Sequence, residues 1–345
     1  MNTDTTIAAI STPTGEGGIG VVRISGSNAA DIADSIFTAA SGKRLKGSVG
    51  YSAHFGTLHD KSGDTIDQCI ALVFKAPKSY TGEDIVELSV HGGDYVVRAA
   101  LRAAIDAGAV PAERGEFTKR AFLNGKLDLS EAEAVMDIIS ASDRQALSAG
   151  LAALGGAVSE KCGRIRDELK FAAATVAAFS DFPDEEPEFS GIDKLGELLE
   201  NAACRLGTLI SDYDTGRMIK NGINTVIIGP PNAGKSTLMN RLTGYDRSIV
   251  TPVAGTTRDT VEETVSFGGV TLRLCDTAGL HDTADPVEKI GVERTKERIA
   301  SADLVIVLLD GSDASYDSSE IMRLVCGKPT VVVYNKSDIA AYEPE

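Results

Sequence analysis

Residues 229–237 read GPPNAGKST, in which a glycine and four further residues precede Gly-Lys-Ser, the spacing of a phosphate-binding P-loop. Backbone N–H groups of such a turn converge at a helix N-terminus, whose partial positive charge favours phosphate oxygens. We expect Lys235 to reach the β- and γ-phosphates and Ser236 to offer its hydroxyl to Mg²⁺. A strand-like NTVII before the loop and a helix-like KSTLMNRL after it supply the required context. The predicted nucleotide contacts of this loop are Asn232, Ala233, Gly234, Lys235, Ser236 and Thr237.

Two later segments indicate that the nucleotide is GTP. LRLCDTAG ends a strand with a carboxylate that can act on Mg²⁺ and a glycine placed to sense the γ-phosphate. VVVYNKSD ends a later strand with a carboxylate that can accept two hydrogen bonds from guanine, a donor pair that adenine lacks. DTAG and NKSD would each also fit an ordinary turn at the end of a strand, but the P-loop, DTAG and NKSD in this order predict a GTPase. The contacts predicted here are Asp276, Thr277, Ala278, Gly279, Asn335, Lys336 and Asp338.

The group that orients the attacking water is less evident. Ras-like enzymes place a glutamine directly after the DxxG motif, whereas this chain has Leu280, which cannot polarise water. The segment TPVAGTTRDT supplies hydroxyls at Thr251, Thr256 and Thr257, all expected nucleotide contacts, and Thr257 is the expected second Mg²⁺ ligand from a switch loop. Arg258 is either catalytic or ion-paired locally with Asp259.

Helices and strands must position these motifs, and the chain has three regions whose sequence patterns differ. We predict a multidomain fold: an α+β domain over 1–125, an α-helical bundle over 126–220 and an α/β P-loop GTPase domain over 221–345. Region 1–125 alternates strand-like runs such as GIGVVRISG and DIVELSV with two helical patterns, NAADIADSIF and YVVRAALRAAIDAG. From residue 224 strands and helices alternate, and Gly268-Gly269 predicts a tight hairpin.

The middle region is predicted to be helical. LDLSEAEAVMDIISAS opens with an expected capping box, Ser130 to Glu133, and apolar residues then recur at helical spacing as far as Leu169. The proline-bearing DFPDEEPEFSG interrupts the pattern before a second run, IDKLGELLENAACRLGTLISDY. We expect these apolar stripes to form the core of a bundle.

Composition limits the class of protein. The 345 residues are 43% hydrophobic and 24% charged, typical of a soluble globular chain of two or three domains. A formal charge of −16 argues against a broadly basic nucleic-acid-binding surface, although not against a local basic patch. We expect the five scattered cysteines to be reduced and mostly buried, no membrane span, and a cytoplasmic location.

Together the motifs resemble those of the tRNA-modification GTPase MnmE (TrmE) family, over essentially the whole chain. The segments that carry the resemblance are GGIGVVRISG, SYTGEDIVELSVHGG, RGEFTKRAFLNGKLDLSEAEAVMDII, DFPDEE, GPPNAGKSTLMNRL, AGTTRD and DTAGLHDTADPVEKIGVERT. The resemblance implies GTP hydrolysis coupled to carboxymethylaminomethylation of the wobble uridine of tRNA. It also implies an FAD-containing partner, MnmG (GidA), in a heterotetramer.

The resemblance gives Asn232 a role as a K⁺ ligand. The other implied K⁺ ligands are Thr251, the backbone carbonyl of Val253, and Thr256. A K⁺ beside the bridging β–γ oxygen would neutralise developing charge much as an arginine finger does. Glu288 matches the family glutamate that orients the attacking water, although by itself it would be interpreted as a solvated carboxylate at a helix start.

The resemblance also implies that the N-terminal domain dimerises and binds 5-formyltetrahydrofolate or a related derivative. The family's ligands correspond to Arg23, Glu87 and Lys126, each of which would otherwise be interpreted as a surface charge. A pterin ring requires a carboxylate and a glutamate tail requires cations, so these residue types are suitable.

One part of the family pattern is not found. Family members add a last strand and helix to the G domain, further bundle helices and a terminal Cys-(Ile/Val)-Gly-Lys, whereas this sequence stops at AAYEPE. We therefore expect a C-terminally truncated chain with an incomplete G domain. Two alternatives remain open: a ribosome-assembly GTPase of the Era/Der type, and a folate-binding scaffold whose G domain is inactive.

Overall fold

The computed structural model describes residues 5–181, 192–245, 262–267, 270–275, 297–312 and 317–339. The chain divides into two compact units, residues 1–135 and 136–345. The predicted boundaries at 125/126 and 220/221 describe three domains rather than two units, and the three-domain division stays a prediction.

A seven-stranded sheet forms the centre of the first unit. Its order is β3-β4-β5-β6-β2-β1-β7, antiparallel except for the β1–β7 pair. The strands are β1 Ile7–Ile10, β2 Gly20–Ser25, β3 Phe37–Ala39, β4 Ser52–His59, β5 Thr65–Phe74, β6 Ile85–Val90 and β7 Val110–Pro111. Its helices are α1 Ala29–Ile36, α2 Asp94–Asp106 and α3 Glu116–Leu123, with a 3-10 turn at Leu45–Gly47, and α4 Leu129–Ser140 runs across the boundary at residues 135/136.

Strand alternation creates two different faces on this sheet. Val22, Ile24 and Leu88 point to one face, where they pack against the apolar sides of α1 and α2 in one buried core. Arg23 and Glu87 alternate with these residues and lie on the opposite face. The predicted strands and the two predicted helices are confirmed, except that Phe37 belongs to β3 rather than to the end of a helix.

The second unit combines helices with a five-stranded sheet. Its helices are α5 Arg144–Leu154, α6 Ala157–Asp181, α7 Ile192–Asn221, α8 Lys235–Tyr245 and α9 Ser319–Leu324, and residues 297–301 are also helical. Its strands are β8 Ile223–Ile228, β9 Glu262–Phe267, β10 Val270–Cys275, β11 Leu304–Asp310 and β12 Thr330–Asn335. The order is β12-β11-β8-β10-β9, and only β9–β10 is antiparallel among these described strands, as the hairpin prediction requires.

Apolar clusters cover both faces of this sheet. Val226 and Val305 pack with residues 297–301 and α9 on one face, whereas Ile227 and Leu274 pack with α8 on the other. A mostly parallel sheet with helices on both faces confirms the predicted α/β architecture of this region.

The α7–β8 junction is a single residue, Gly222, with φ +80°. A Cβ there would lie 3.0 Å from the carbonyl oxygen of Thr271 on β10, so a side chain would be both strained and crowded. Next to this junction, Arg217 Nη2 lies 2.7 Å from Asp303 Oδ1, and Asp303 Oδ2 accepts the Asn224 N–H at 3.1 Å. The end of α7 is therefore held directly against the sheet.

The structure corrects the predicted start of α4. Asp128 Oδ1 accepts the Glu131 N–H at 2.9 Å, and Glu131 Oε2 accepts the Asp128 N–H at 2.8 Å. The reciprocal capping pair is thus Asp128–Glu131, two residues before the predicted Ser130–Glu133. Both pairs have the required spacing, and Ser130 instead donates its hydroxyl to Asp128 Oδ1 at 2.7 Å.

The prediction that the helical stripes form a core is met only in part by the described residues. The helix contacts bury small side chains, Ala146, Ala172 and Ala202, together with Ile165. Several of the larger apolar residues of these helices are instead exposed. Those exposed are Ile139, Leu147, Leu151, Val158, Leu169, Leu199 and Leu206. Helices α5, α6 and α7 do contact one another, but the bundle stays a prediction.

Three of the described cysteines are also exposed, contrary to expectation: Cys162, Cys204 and Cys326. They lie on solvent-facing positions of α6 and α7 and just after α9. Cys69 is buried on β5, and burial raises the pKa of its thiol to about 12. Within the described ranges, no helix is both long enough and apolar enough to cross a membrane.

Candidate functional site

The P-loop lies at the carboxyl end of β8, next to the parallel strand β11, which continues to Asp310. The helix α8 begins at Lys235, and its first turn is closed by the Leu238 N–H donating to the Gly234 carbonyl at 2.9 Å. This strand–loop–helix arrangement confirms the context predicted for the motif. It directs the helix N-terminus towards the loop, as a phosphate site requires.

The Lys235 side chain folds back over the loop. Its Nζ donates to the carbonyl oxygens of Gly229 and Pro230 at 2.9 and 2.8 Å. These bonds place the ammonium inside the turn rather than in solvent, and the loop is thereby held closed around it.

Asn232 has a left-handed backbone with φ 62°, and its side chain is exposed. Asparagine tolerates this conformation better than most non-glycine residues, which explains its type on backbone grounds alone. Ser236 and Thr237 are also exposed at the helix start.

Asn335, at the end of β12, ties the predicted guanine motif to the P-loop. Its Nδ2 donates to the Ala233 carbonyl at 2.8 Å, and Ala233 is fully buried. A Cβ on Gly234, which has φ +95°, would lie 2.2 Å from this same Nδ2. The second P-loop glycine is therefore required both by its backbone conformation and by the approach of Asn335.

Lys336 is held by a residue that the sequence analysis did not single out. Its Nζ lies 2.6 Å from Oδ2 of Asp310, the last residue of β11, which pairs in register with Asn335. Lys336 itself has φ 59°, a strained conformation of the kind concentrated at functional sites. Hydrogen bonds from Lys336 and from Ser312 lower the pKa of Asp310 to about 2. Asp310 could have been found from its position as the final residue of the strand run DLVIVLLD.

Not all predicted nucleotide residues are brought together. Asp338 is exposed and follows Lys336 in the turn after β12. The remaining predictions lie outside the described residues: Thr251, Val253, Thr256, Thr257, Arg258, Asp276, Thr277, Ala278, Gly279 and Glu288. Among the described residues, no group of three or more His, Cys, Asp or Glu could hold a metal ion.

The second predicted site lies on the outer face of the first unit's sheet. Arg23 on β2 and Glu87 on β6 are direct cross-strand partners, and Arg23 Nε donates to Glu87 Oε1 at 2.7 Å. Lys126 Nζ donates to the Pro77 carbonyl at 3.2 Å, in the segment between β5 and β6. A separate cavity of about 260 Å³, near residues 10–20 and the start of α2, includes none of these three residues.

Two aromatic residues that the sequence analysis missed lie beside Arg23. The centroids of the Tyr80 and Phe117 rings each lie 5.3 Å from the guanidinium carbon. Their positions, before β6 and on α3, gave no periodic signal that would have linked them to Arg23.

A buried cation, Arg120, also escaped the sequence analysis. Its side chain is 5% exposed, and it forms ion pairs with Glu83 at 3.1 Å and Glu116 at 2.9 Å. It also donates to the Thr5 carbonyl at 2.7 Å. This cluster joins three segments of the unit.

Two family models match the chain, one in each unit. The family model "GTP-binding protein TrmE N-terminus" matches residues 6–126, and the model "50S ribosome-binding GTPase" matches residues 224–336. The tRNA modification GTPase MnmE of Heliobacterium modesticaldum is 43% identical over 97% of this chain and 72% of its own length. That of Symbiobacterium thermophilum is 47% identical over 97% of this chain and 74% of its own. The chain belongs to the MnmE family of tRNA modification GTPases.

Membership confirms the family resemblance and makes the chain a member of a GTP-hydrolase family. The Era protein of Aquifex aeolicus bound to GDP·AlF4⁻ is 31% identical over 34% of this chain and 41% of its own, with a TM-score of 0.26. The match to the TrmE N-terminus over residues 6–126 is not what the Era/Der alternative predicts.

Proposed function

We propose that this chain is a K⁺-stimulated GTP hydrolase that takes part in 5-carboxymethylaminomethyl modification of the tRNA wobble uridine. The observation that carries the proposal is whole-chain similarity to MnmE proteins, with the family's P-loop asparagine retained as Asn232. We further propose a cytoplasmic homodimer, joined through the N-terminal domain, which acts with the FAD protein MnmG on tRNA.

In this proposal the P-loop and the β12 end bind GTP. Residues 232–237 surround the phosphates, Asn335 fixes the loop, and Lys336 and Asp338 contact the guanine. Lys235 lies inside the loop, from where its ammonium can bind phosphate oxygens. Ser236 and Thr257 would hold Mg²⁺, with Asp276 close to it, and Mg²⁺ supplies charge neutralisation on the β- and γ-phosphates. The remaining proposed contacts are Thr277, Ala278 and Gly279.

The cation role of Asn232 agrees with its exposed side chain on a left-handed turn beside Lys235. Together with Thr251, Val253 and Thr256 it would hold K⁺, which supplies positive charge beside the bridging oxygen. Glu288 would orient the attacking water, since Leu280 cannot.

The test is GTP turnover in K⁺ against Na⁺, measured on the purified chain and on Asn232→Ala. We expect faster turnover in K⁺ for the parent chain, and loss of that difference in Asn232→Ala with nucleotide affinity largely retained. Asn201→Ala, an exposed asparagine on α7, is the matched control. Equal rates in the two salts for the parent chain would remove the cation role of Asn232.

For the N-terminal unit we propose binding of 5-formyltetrahydrofolate or a related derivative through Arg23, Glu87 and Lys126. Arg23 and Glu87 form one polar pair, and Lys126 contacts the neighbouring segment before β6. Calorimetry with 5-formyltetrahydrofolate tests this part separately. Folate binding without nucleotide affinity would instead favour the scaffold alternative.

A further inference from the structure

The carboxyl ends of β11 and β12 carry an ion pair next to the proposed guanine contacts. Asp310 is the last residue of β11 and pairs in register with Asn335, the last residue of β12. Lys336 follows directly, and its Nζ lies 2.6 Å from Asp310 Oδ2. Ligands of parallel α/β sheets bind beyond the carboxyl ends of the strands. The pair therefore lies on the ligand side of this sheet.

The two carboxylate oxygens of Asp310 have separate partners. Oδ1 accepts the Ser312 N–H at 3.0 Å and the Ser312 hydroxyl at 2.6 Å, whereas Oδ2 accepts a hydrogen bond from Lys336 Nζ. The contacts with Ser312 fix the carboxylate from within its own strand and the turn that follows it. As a result, Oδ2 is directed at the lysine side chain.

The ion pair draws the Lys336 side chain from the end of β12 to the end of the neighbouring strand. Lys336 has φ 59°, and its carbonyl accepts the Ile339 N–H at 3.0 Å, which closes a turn over residues 336–339. Asp338, the proposed acceptor of the guanine donors, lies within this turn and is exposed. The Asp310 carboxylate therefore holds the first residue of the turn that carries Asp338.

The link between this turn and the P-loop does not use the Asp310 side chain. The Gly311 N–H donates to the Asn335 carbonyl at 2.9 Å, and Asn335 Nδ2 donates to the Ala233 carbonyl at 2.8 Å. Both bonds remain when the carboxylate is removed, so the P-loop should keep its shape. Effects on recognition of the base can thus be separated from effects on binding of the phosphates.

We propose that Asp310 is a positioning residue for base recognition, which anchors Lys336 and thereby holds Asp338 where it accepts the paired N–H donors of guanine. The inference rests on the proposed guanine contacts of Lys336 and Asp338 and adds the residue that orders them. The pair is partly exposed, and such pairs contribute little to stability by themselves. A side chain that is already ordered, however, reduces the entropy lost when the base binds.

The experiment measures dissociation constants of N-methylanthraniloyl derivatives of GDP, inosine diphosphate and ADP. Inosine diphosphate lacks the exocyclic amine of guanine, so it forfeits one of the two hydrogen bonds to Asp338. A hydrogen bond to a charged group corresponds to a preference of about tenfold to 100-fold for GDP in the parent chain. Asp310→Ala should reduce this GDP-to-inosine preference by at least about threefold, mainly through weaker GDP binding. Asp212→Ala, which removes an exposed carboxylate on α7, is the matched control and should leave the preference unchanged.

Two further variants test whether Asp310 acts through Lys336. Asp310→Asn keeps the side-chain shape but places an amide donor or an uncharged oxygen at the ammonium, so it should also reduce the preference. Lys336→Met keeps the apolar stem and removes the ammonium. In that background Asp310→Ala should change the preference by less than about twofold, because the two residues share one interaction.

The preference also distinguishes positioning from a folding defect. Misfolded protein lowers the amplitude of binding equally for GDP and inosine diphosphate and leaves the ratio of their dissociation constants unchanged. An unchanged ratio in Asp310→Ala and Asp310→Asn, or full additivity with Lys336→Met, would overturn the inference while guanine binding stands. A parent chain that binds the ADP derivative as tightly as the GDP derivative would overturn the proposed guanine contacts, and the inference with them.

Discussion

Removal of the Asn335 side chain tests whether the guanine motif holds the P-loop in place. Asn335→Ala deletes the donor to the Ala233 carbonyl, a 2.8 Å bond, and Ala233 is 0% exposed. The substitution therefore takes this donor from a carbonyl that is buried in the parent structure. The substitution also opens space beside Gly234, whose ideal Cβ position lies 2.2 Å from the amide nitrogen.

The expected loss of nucleotide affinity follows from the buried Ala233 carbonyl, which lacks this hydrogen bond in the variant. An unsatisfied buried acceptor costs about 1–3 kcal/mol, which corresponds to about fivefold to 150-fold in an equilibrium constant. If the bond maintains the binding-competent loop, nucleotide affinity falls by up to this factor. Asn335→Asp should lose more, because a carboxylate oxygen would then face the carbonyl oxygen.

The assay is fluorescence titration with N-methylanthraniloyl-GDP, with urea unfolding measured in parallel. Asn201→Ala, on the exposed side of α7, controls for loss of an asparagine elsewhere in the same unit. A dissociation constant for Asn335→Ala within about twofold of the parent would refute the coupling between the two motifs. A loss of stability without any change in affinity would assign the bond a purely structural role.

Three further predictions concern charges with defined partners. Folding lowers the pKa of Asp310 from 3.8 to about 2. The contribution of this carboxylate to stability is therefore full above its ordinary pKa and is lost as the pH falls towards 2. Lys336→Ala should reduce this acid dependence when unfolding is measured as a function of pH. Arg120→Met leaves the carboxylates of Glu83 and Glu116 without their cation and should lower the free energy of unfolding of the first unit by about 3–5 kcal/mol in urea. A loss smaller than about 1 kcal/mol would contradict a structural role for Arg120. Asp143 caps α5 and also accepts a hydrogen bond from the Thr271 hydroxyl at 2.6 Å. Asp143→Ala should therefore lower the free energy of unfolding by about 1–2 kcal/mol. Because the two residues share a hydrogen bond, the losses caused by Asp143→Ala and Thr271→Val should not be additive in the double variant.

The pKa of Asp143 supports the last prediction. Partial burial opposes ionisation, but hydrogen bonds from the Ala146 N–H and from Thr271 outweigh it and lower the pKa. The cap therefore stabilises the fold above the ordinary pKa of the carboxyl, and weakens as acid protonates it.

Local patterns in the sequence were sufficient for much of the fold. Strand-like runs predicted β2 and β6, and the P-loop spacing predicted the turn between β8 and α8, since both signals come from adjacent residues. β3 and β7 were missed because strands of three and two residues carry almost no periodicity and depend on distant partners.

The other features that the sequence did not predict depend on contacts between distant residues or on choices that local sequence leaves open. Helical periodicity identifies an apolar side of a helix but not whether anything covers it, and residues such as Leu151 and Ile139 are exposed. Asp128 and Ser130 offered two capping pairs of equal spacing, and no local signal decided between them. The contacts of Arg120 with Glu83 and with Thr5 span 37 and 115 residues, beyond the reach of any local pattern.

The junction at Gly222 has a mechanical consequence. With 30 residues, α7 extends about 45 Å from this glycine. Its base is clamped to the sheet through Arg217 and Asp303 and to α4 through the Lys220–Asp137 ion pair at 2.7 Å. A tilt of about 5° at the base therefore displaces the opposite end by about 4 Å. Small rotations at Gly222 are therefore enlarged at the far end of α7, whereas the P-loop lies at the other end of β8.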